Sequence, residues 1–77
     1  MFEKILKIIE KYTFNKDLVK NAKPESRIIA DLNINSTRIV DIILDVEEEF
    51  NIEVEDTMLE KLVTVGDLQK YVESKIS

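Results

Sequence analysis

The sequence predicts an all-α protein: a small four-helix bundle of three main helices and one short helix, with a long first loop. Three observations carry this. The 77-residue chain has one glycine and one proline, so little in it breaks helices. Apolar residues recur at three-to-four spacing along three long stretches. Strand-like alternation is confined to "NIEVE", which is too short and isolated for a sheet. The length fits one small domain, and residues 1–77 are read as a single unit. A core this small has to be well packed, because the chain has no cysteine to staple it.

The first helix is predicted over about residues 2–14, where Phe2, Ile5, Leu6, Ile9 and Tyr12 share one face with Ile8 on its flank. The connector "NKDLVKNAKPESRIIADLNIN" follows. Pro24 and several Asn, Asp and Ser residues mark turns in it, while Leu18, Val19, Ile28, Leu32 and Ile34 anchor it to the core. A connector this long is more often functional than not. The second helix is predicted from about Ser36 to Phe50, with Ile39, Ile42, Ile43, Val46 and Phe50 in one narrow sector. A short helix is predicted over about Asp56–Leu62. Thr64 then caps a last helix through about Lys75, with Asp67 three residues on completing a capping box. Val65, Leu68, Val72 and Ile76 form its inner face, and Gly66 in its first turn reads as a mild cost.

Composition narrows the function. The chain has no histidine and no cysteine, which removes the usual neutral-pH base, the usual metal ligands and the His-activated nucleophiles. The reading is of a protein that is not an enzyme, with no catalytic residue and no metal site. The net charge of −5 disfavours nucleic acid and favours partners with basic patches. "FEKILKIIEKY" is too interrupted by charge for a signal core or a membrane span, so the expected location is the cytoplasm, without membrane insertion.

Three motifs overlap at "DLNINSTRIVDII". Asn35-Ser36-Thr37 is a glycosylation sequon, but nothing in the sequence supplies a secretory route. Asp31-x-Asn33-x-Asn35 opens like a calcium loop, yet the positions needing Gly and a bidentate Glu hold Ser36 and Ile42. What remains is a serine at a helix start, where either Asn35 or Ser36 is the cap. Replacing Ser36 with alanine costs up to about 1 kcal/mol if Ser36 is the cap and little if Asn35 is. No neighbour activates the Ser36 hydroxyl, so any chemistry on it belongs to another enzyme. On the outer face of the second helix lie Thr37, Val40, Asp41, Leu44 and Glu48, with Glu47 at the boundary. Two apolar residues one turn apart among acids look like a docking surface.

Over nearly its whole length the chain resembles the acyl carrier proteins. The family's "EDLG-x-DSL", "EEEF" and "I-x-x-VGDL" segments appear in register as Ala30 through Thr37, Glu47-Glu48-Glu49-Phe50, and Leu62 through Leu68. The resemblance implies that Ser36 carries a 4′-phosphopantetheine arm, installed from coenzyme A by a magnesium-using phosphopantetheinyl transferase. The arm's thiol holds acyl groups as thioesters, which a cysteine-free chain cannot do with its own side chains. The resemblance also implies docking of acyl-loading and acyl-processing enzymes with basic patches on Thr37, Val40, Asp41, Leu44, Glu47 and Glu48. It implies shelter for the acyl chain among inward residues such as Ile39, Val46, Leu59 and Leu62, in a monomeric carrier.

The chain departs from the family at four points: Asn33 for the usual glycine, Asn35 and Thr37 in place of the acid and the leucine of "DSL", and Arg38 where acids are common. These remove negative charge and one apolar contact beside Ser36, and point to a carrier in a specialised pathway of fatty-acid, lipid or polyketide synthesis. Two alternatives stay open: an unmodified, carrier-like acidic interaction subunit, and a carrier of aminoacyl or D-alanyl groups.

Overall fold

A computed structural model describes residues 1–76; Ser77, the end of the single unit read from the sequence, lies outside the described residues. Four α-helices run in the order α1 (Phe2–Glu10), α2 (Lys16–Lys20), α3 (Ile39–Phe50) and α4 (Val65–Ile76). Single 3₁₀ turns precede α3, at Ser36–Arg38, and α4, at Asp56–Met58. No strand forms among the described residues; the nearest approach is one isolated antiparallel bridge between Arg27 and Thr64. Helix α1 is the shared element, packing against α2, α3 and α4.

The all-α prediction and the three main helices hold, with corrected boundaries. The first helix stops at Glu10 instead of running to residue 14. Beyond it, long-range hydrogen bonds fix the chain: Tyr12 Oη donates to Asp45 Oδ2 at 2.6 Å, and the buried Thr13 hydroxyl donates to the Leu32 carbonyl at 3.0 Å. The connector is not all loop. Asn15 accepts the Asp17 amide at 3.2 Å and caps α2, which brings Val19 into the core but leaves Leu18 at the surface. The short helix predicted over Asp56–Leu62 is only the 3₁₀ turn Asp56–Met58.

The core is dominated by β-branched residues, with Ile5, Ile9, Ile42, Val46, Val65 and Val72 almost fully enclosed. Their stiff side chains lower helix propensity slightly, so these short helices owe their stability mainly to packing. Ile8 is buried, whereas Phe2, Leu6, Tyr12, Ile39 and Phe50 are only half-buried against the core. Ile76 is 50 % exposed and does not belong to the inner face of α4.

Two asparagines hold left-handed backbone, Asn33 at φ 55° and Asn51 at φ 53°. Asn51 ends α3 in the position where glycine or asparagine is favoured. Asn33 stands where the resemblance expects glycine, and asparagine is one of the few other residues that tolerate this conformation. Asn33→Ala is expected to lower stability by about 1 kcal/mol, and Asn33→Gly to change it by less than about 0.5 kcal/mol. Urea denaturation of the two variants measures this; equal losses would remove the backbone explanation.

The first turn of α4 is fully satisfied. The Val65 amide donates to the Ser26 carbonyl at 3.0 Å and the Gly66 amide to the Pro24 carbonyl at 2.7 Å. The Asp67 amide donates to Thr64 Oγ1 at 3.0 Å, while Asp67 Oδ2 accepts from the Thr64 amide at 3.1 Å. The capping box is therefore present. It is extended by a loop that docks on the helix head and meets the remaining unpaired N–H groups. Gly66 is more than a mild cost: a Cβ there would stand 2.8 Å from the Pro24 carbonyl oxygen.

Candidate functional site

The loop that leads into α3 delivers Ser36 to the surface. Buried Leu32 and Ile34 pin that loop to the core on either side of Asn33. The cap is Asn35: its Oδ1 accepts the Thr37 amide and the Thr37 hydroxyl, both at 3.0 Å. With the capping position filled, Ser36 is exposed, and among the described residues its hydroxyl makes no hydrogen bond. An exposed, unengaged hydroxyl at the head of a helix suits a phosphate ester, since the helix's positive end faces the added charge. The residues present therefore fit a serine-linked phosphopantetheine.

The failed calcium loop is explained by the same geometry. Asp31 is taken up by Arg27, whose amide donates to its Oδ2 at 2.8 Å and whose guanidinium lies 3.3 Å away. These contacts hold the Asp31 carboxyl below the usual range, the backbone hydrogen bond contributing most. No cluster of acids capable of holding a metal forms among the described residues.

The candidate docking residues do not behave alike. Val40 and Leu44 are 52 % and 54 % exposed, one turn apart, and Glu48 is exposed beyond them. Thr37 is exposed, but its amide and hydroxyl are committed to Asn35. Asp41 is half-buried and paired with Arg38 at 3.1 Å, which neutralises the face near Ser36. Glu47 turns to its own chain, with Oε2 accepting the Val54 amide at 2.9 Å and holding the segment after α3. Negative charge on this helix is thus concentrated at its C-terminal end, around Glu48 and Glu49.

Two depressions share Ile29, and Ser36 lines one of them. One is a groove of about 370 Å³ lined by Ile39, Leu59, Leu62, Ala30, Ile29 and Arg27. It unites three of the four residues proposed to shelter an acyl chain. The fourth, Val46, is fully buried and does not line the groove. The other is an open cleft of about 830 Å³ between the end of α1 and the loop before α3; Ser36, Lys11, Phe14, Ile29, Asn33 and Arg38 are among its lining. Periodicity did not reveal this cleft, because Phe14 and Ile29 lie off every helical face. Tyr12 also borders it, and the Asp45 carboxylate that accepts its hydroxyl pushes the phenol up to about 12, which keeps Tyr12 a neutral donor.

Comparison with known proteins agrees with this geometry. A family model described as a phosphopantetheine attachment site matches residues 16–72. The chain is 39 % identical to an acyl carrier protein of Thermotoga maritima, across 99 % of this chain and 91 % of the relative. It is 40 % identical to one from Helicobacter pylori, across 95 % and 91 %. It is 37 % identical to one from Wolinella succinogenes, across 87 % and 84 %. No helix among the described residues is long and apolar enough to cross a membrane.

Proposed function

The chain belongs to the acyl carrier protein family, and from that premise we propose that Ser36 is its phosphopantetheine attachment site. Membership makes it a carrier and not an enzyme, with covalently attached 4′-phosphopantetheine as its cofactor, served by a phosphopantetheinyl transferase and acyl-processing enzymes. The observation that carries the assignment is the free, exposed Ser36 hydroxyl beside a cap supplied by Asn35. The asparagine that replaces the family acid keeps the helix start intact, so the departure costs charge and not geometry.

In the proposed modification, Ser36 Oγ attacks a phosphorus of the coenzyme A pyrophosphate, and the nucleotide half leaves as the new P–O bond forms. The serine proton passes to the transferase, because no base on this chain stands beside it. The arm supplies a thiol for thioester linkage. The apolar groove of Ile39, Leu59 and Leu62 is suited to shelter a bound acyl chain, and Val40, Leu44 and Glu48 to meet partners with basic patches. Cargo from fatty-acid, lipid or polyketide synthesis in a specialised pathway fits the four substitutions around Ser36. A single cytoplasmic, monomeric carrier domain belongs to the same reading, which rests on the small, acidic, cysteine-free chain.

The test is incubation with coenzyme A, magnesium and several transferases, including one from the source organism, followed by intact mass. A gain of one phosphopantetheine is expected in the wild type and none in Ser36→Ala. Because Asn35 is the cap, Ser36→Ala should hold its stability within about 0.5 kcal/mol. A wild type that no transferase modifies would turn the reading to an unmodified interaction subunit.

A further inference from the structure

The cleft beside Ser36 stands out on this surface. The chain is acidic overall, yet the charged side chains lining the cleft, Lys11 and Arg38, are both cationic, their carboxylate partners Asp45 and Asp41 lying outside the lining. At its rim Phe14 is 100 % exposed, an unusual position for an aromatic, and Ile29 is also exposed. The lining between them is polar but uncharged, including Asn33, Asn35 and Thr37. The other groove differs: Ile39, Leu59, Leu62, Ala30 and Val63 make it mostly apolar, with one cation, Arg27, and one acid, Glu60, in its lining.

We infer that this cleft holds the unacylated phosphopantetheine arm itself, with Lys11 and Arg38 facing its phosphodiester, asparagine side chains its amides, and Phe14 and Ile29 its apolar segments. The inference rests on Ser36 as the attachment site, which makes the occupant a tethered one. A group bonded to a residue of the cleft wall is present at high effective concentration, so weak contacts suffice to hold it. Charge is compatible with the same occupant. A phosphodiester is anionic, and the cleft lining carries Lys11 and Arg38 and no acid; each cation is shared with a carboxylate outside the lining, Asp45 at 3.6 Å and Asp41 at 3.1 Å, and keeps further N–H donors. The chemistry of the arm also matches, because its amides and methyl groups alternate as the polar and apolar lining does. A wholly aliphatic chain has no use for the asparagines and suits the groove of Leu59 and Leu62. The two depressions thus divide the labour, with Ile29 as their common wall.

Apo protein and protein loaded by a transferase, both ¹⁵N-labelled, test this by amide chemical shifts. Mass spectrometry confirms the loading. Attachment is expected to move the amides of Lys11 and Phe14, which are remote from Ser36 in sequence, and to leave Leu59 and Leu62 in place. Ile29 is not diagnostic, since it lines both depressions. A second readout is alkylation of the free thiol by a maleimide. Phe14→Ser combined with Lys11→Gln should raise the rate severalfold towards that of free coenzyme A. Phe14 is fully exposed, so its loss does not disturb the core. Shifts confined to the neighbours of Ser36, shifts at Leu59 and Leu62 instead, or alkylation unchanged by the double variant would each overturn the inference while leaving the attachment site standing. Absence of any mass gain would sink both.

Discussion

Gly66→Ala is expected to destabilise the protein by about 1–5 kcal/mol, although alanine is the better helix former. The two effects oppose each other and their sizes decide the sign. Inside a helix, alanine gains about 1 kcal/mol over glycine. Against this, the new Cβ would stand 2.8 Å from the Pro24 carbonyl oxygen, and 3.3 and 3.4 Å from Pro24 Cβ and carbonyl carbon. The closest of these is a backbone atom and cannot swing aside as a side chain would. The loop has to withdraw, and with it go the hydrogen bonds from the Gly66 amide to Pro24 and from the Val65 amide to Ser26. Val65 is fully buried, so its amide has poor access to water in compensation. Losing the partners of two helix-head donors costs on the order of 1–3 kcal/mol each when water cannot replace them, which exceeds the helix gain. For a domain of this size, each kcal/mol lost corresponds to a fall in Tm of about 4–8 °C. Thermal and urea unfolding of the variant measure it, and a Gly66→Ala protein as stable as wild type would show that the loop yields freely. The effect also reaches the function. The withdrawn segment leads directly into Arg27, Ile29 and Ala30, which form one wall of the apolar groove.

This contact marks the limit of what the chain reveals before folding. The VGDL segment announced a capped helix, and Thr64 and Asp67 do form that cap. The reason for a glycine between them lies at Pro24, distant in sequence and brought near only by the packed core. The same holds at the end of α1. Its apolar spacing continues to Tyr12, but Tyr12 is positioned by Asp45 and Thr13 by Leu32, contacts that no local pattern contains. Helix α2 shows the reverse. Its signal, Asn15 capping the Asp17 amide, was present in the sequence but too short to stand out from a polar connector. On the candidate site, the position of Ser36 and the exposure of Val40 and Leu44 were legible from helical phase alone. The commitments of Asp41 and Glu47 were not, because helical phase says which way a side chain leaves the helix and not which partner it finds. The cleft of Phe14 and Ile29 joins two loops, where no periodicity exists to be read.

Arg38→Asp is expected to speed loading of Ser36 by a transferase with a basic docking face, and the gain should depend on salt. In the wild type, Arg38 lies two residues from Ser36 and holds Asp41 at 3.1 Å, so the start of the docking helix presents no net charge. The substitution removes one positive charge, adds one negative and frees Asp41. Two unit charges about 7 Å apart in water interact by about 0.6 kcal/mol, or roughly threefold in rate for each unit changed. A change of two units therefore predicts roughly a sevenfold rise in kcat/KM at low ionic strength, carried mainly by association. Near physiological salt the Debye length is about 8 Å, and screening should reduce the gain to about twofold. Folding is not at stake. The Arg38–Asp41 pair is exposed and contributes little, and an acid near a helix N-terminus is favourable. Glu48→Lys, at the end of the helix that keeps its charge, should move the rate the other way with the same salt dependence. Steady-state loading kinetics across a salt series distinguish the outcomes. A rate that rises without salt dependence would place the effect of Arg38 in the transferase active site and not in docking. A rate that falls would mean that the transferase meets Arg38 with an acid of its own, and that the positive charge beside Ser36 selects the partner.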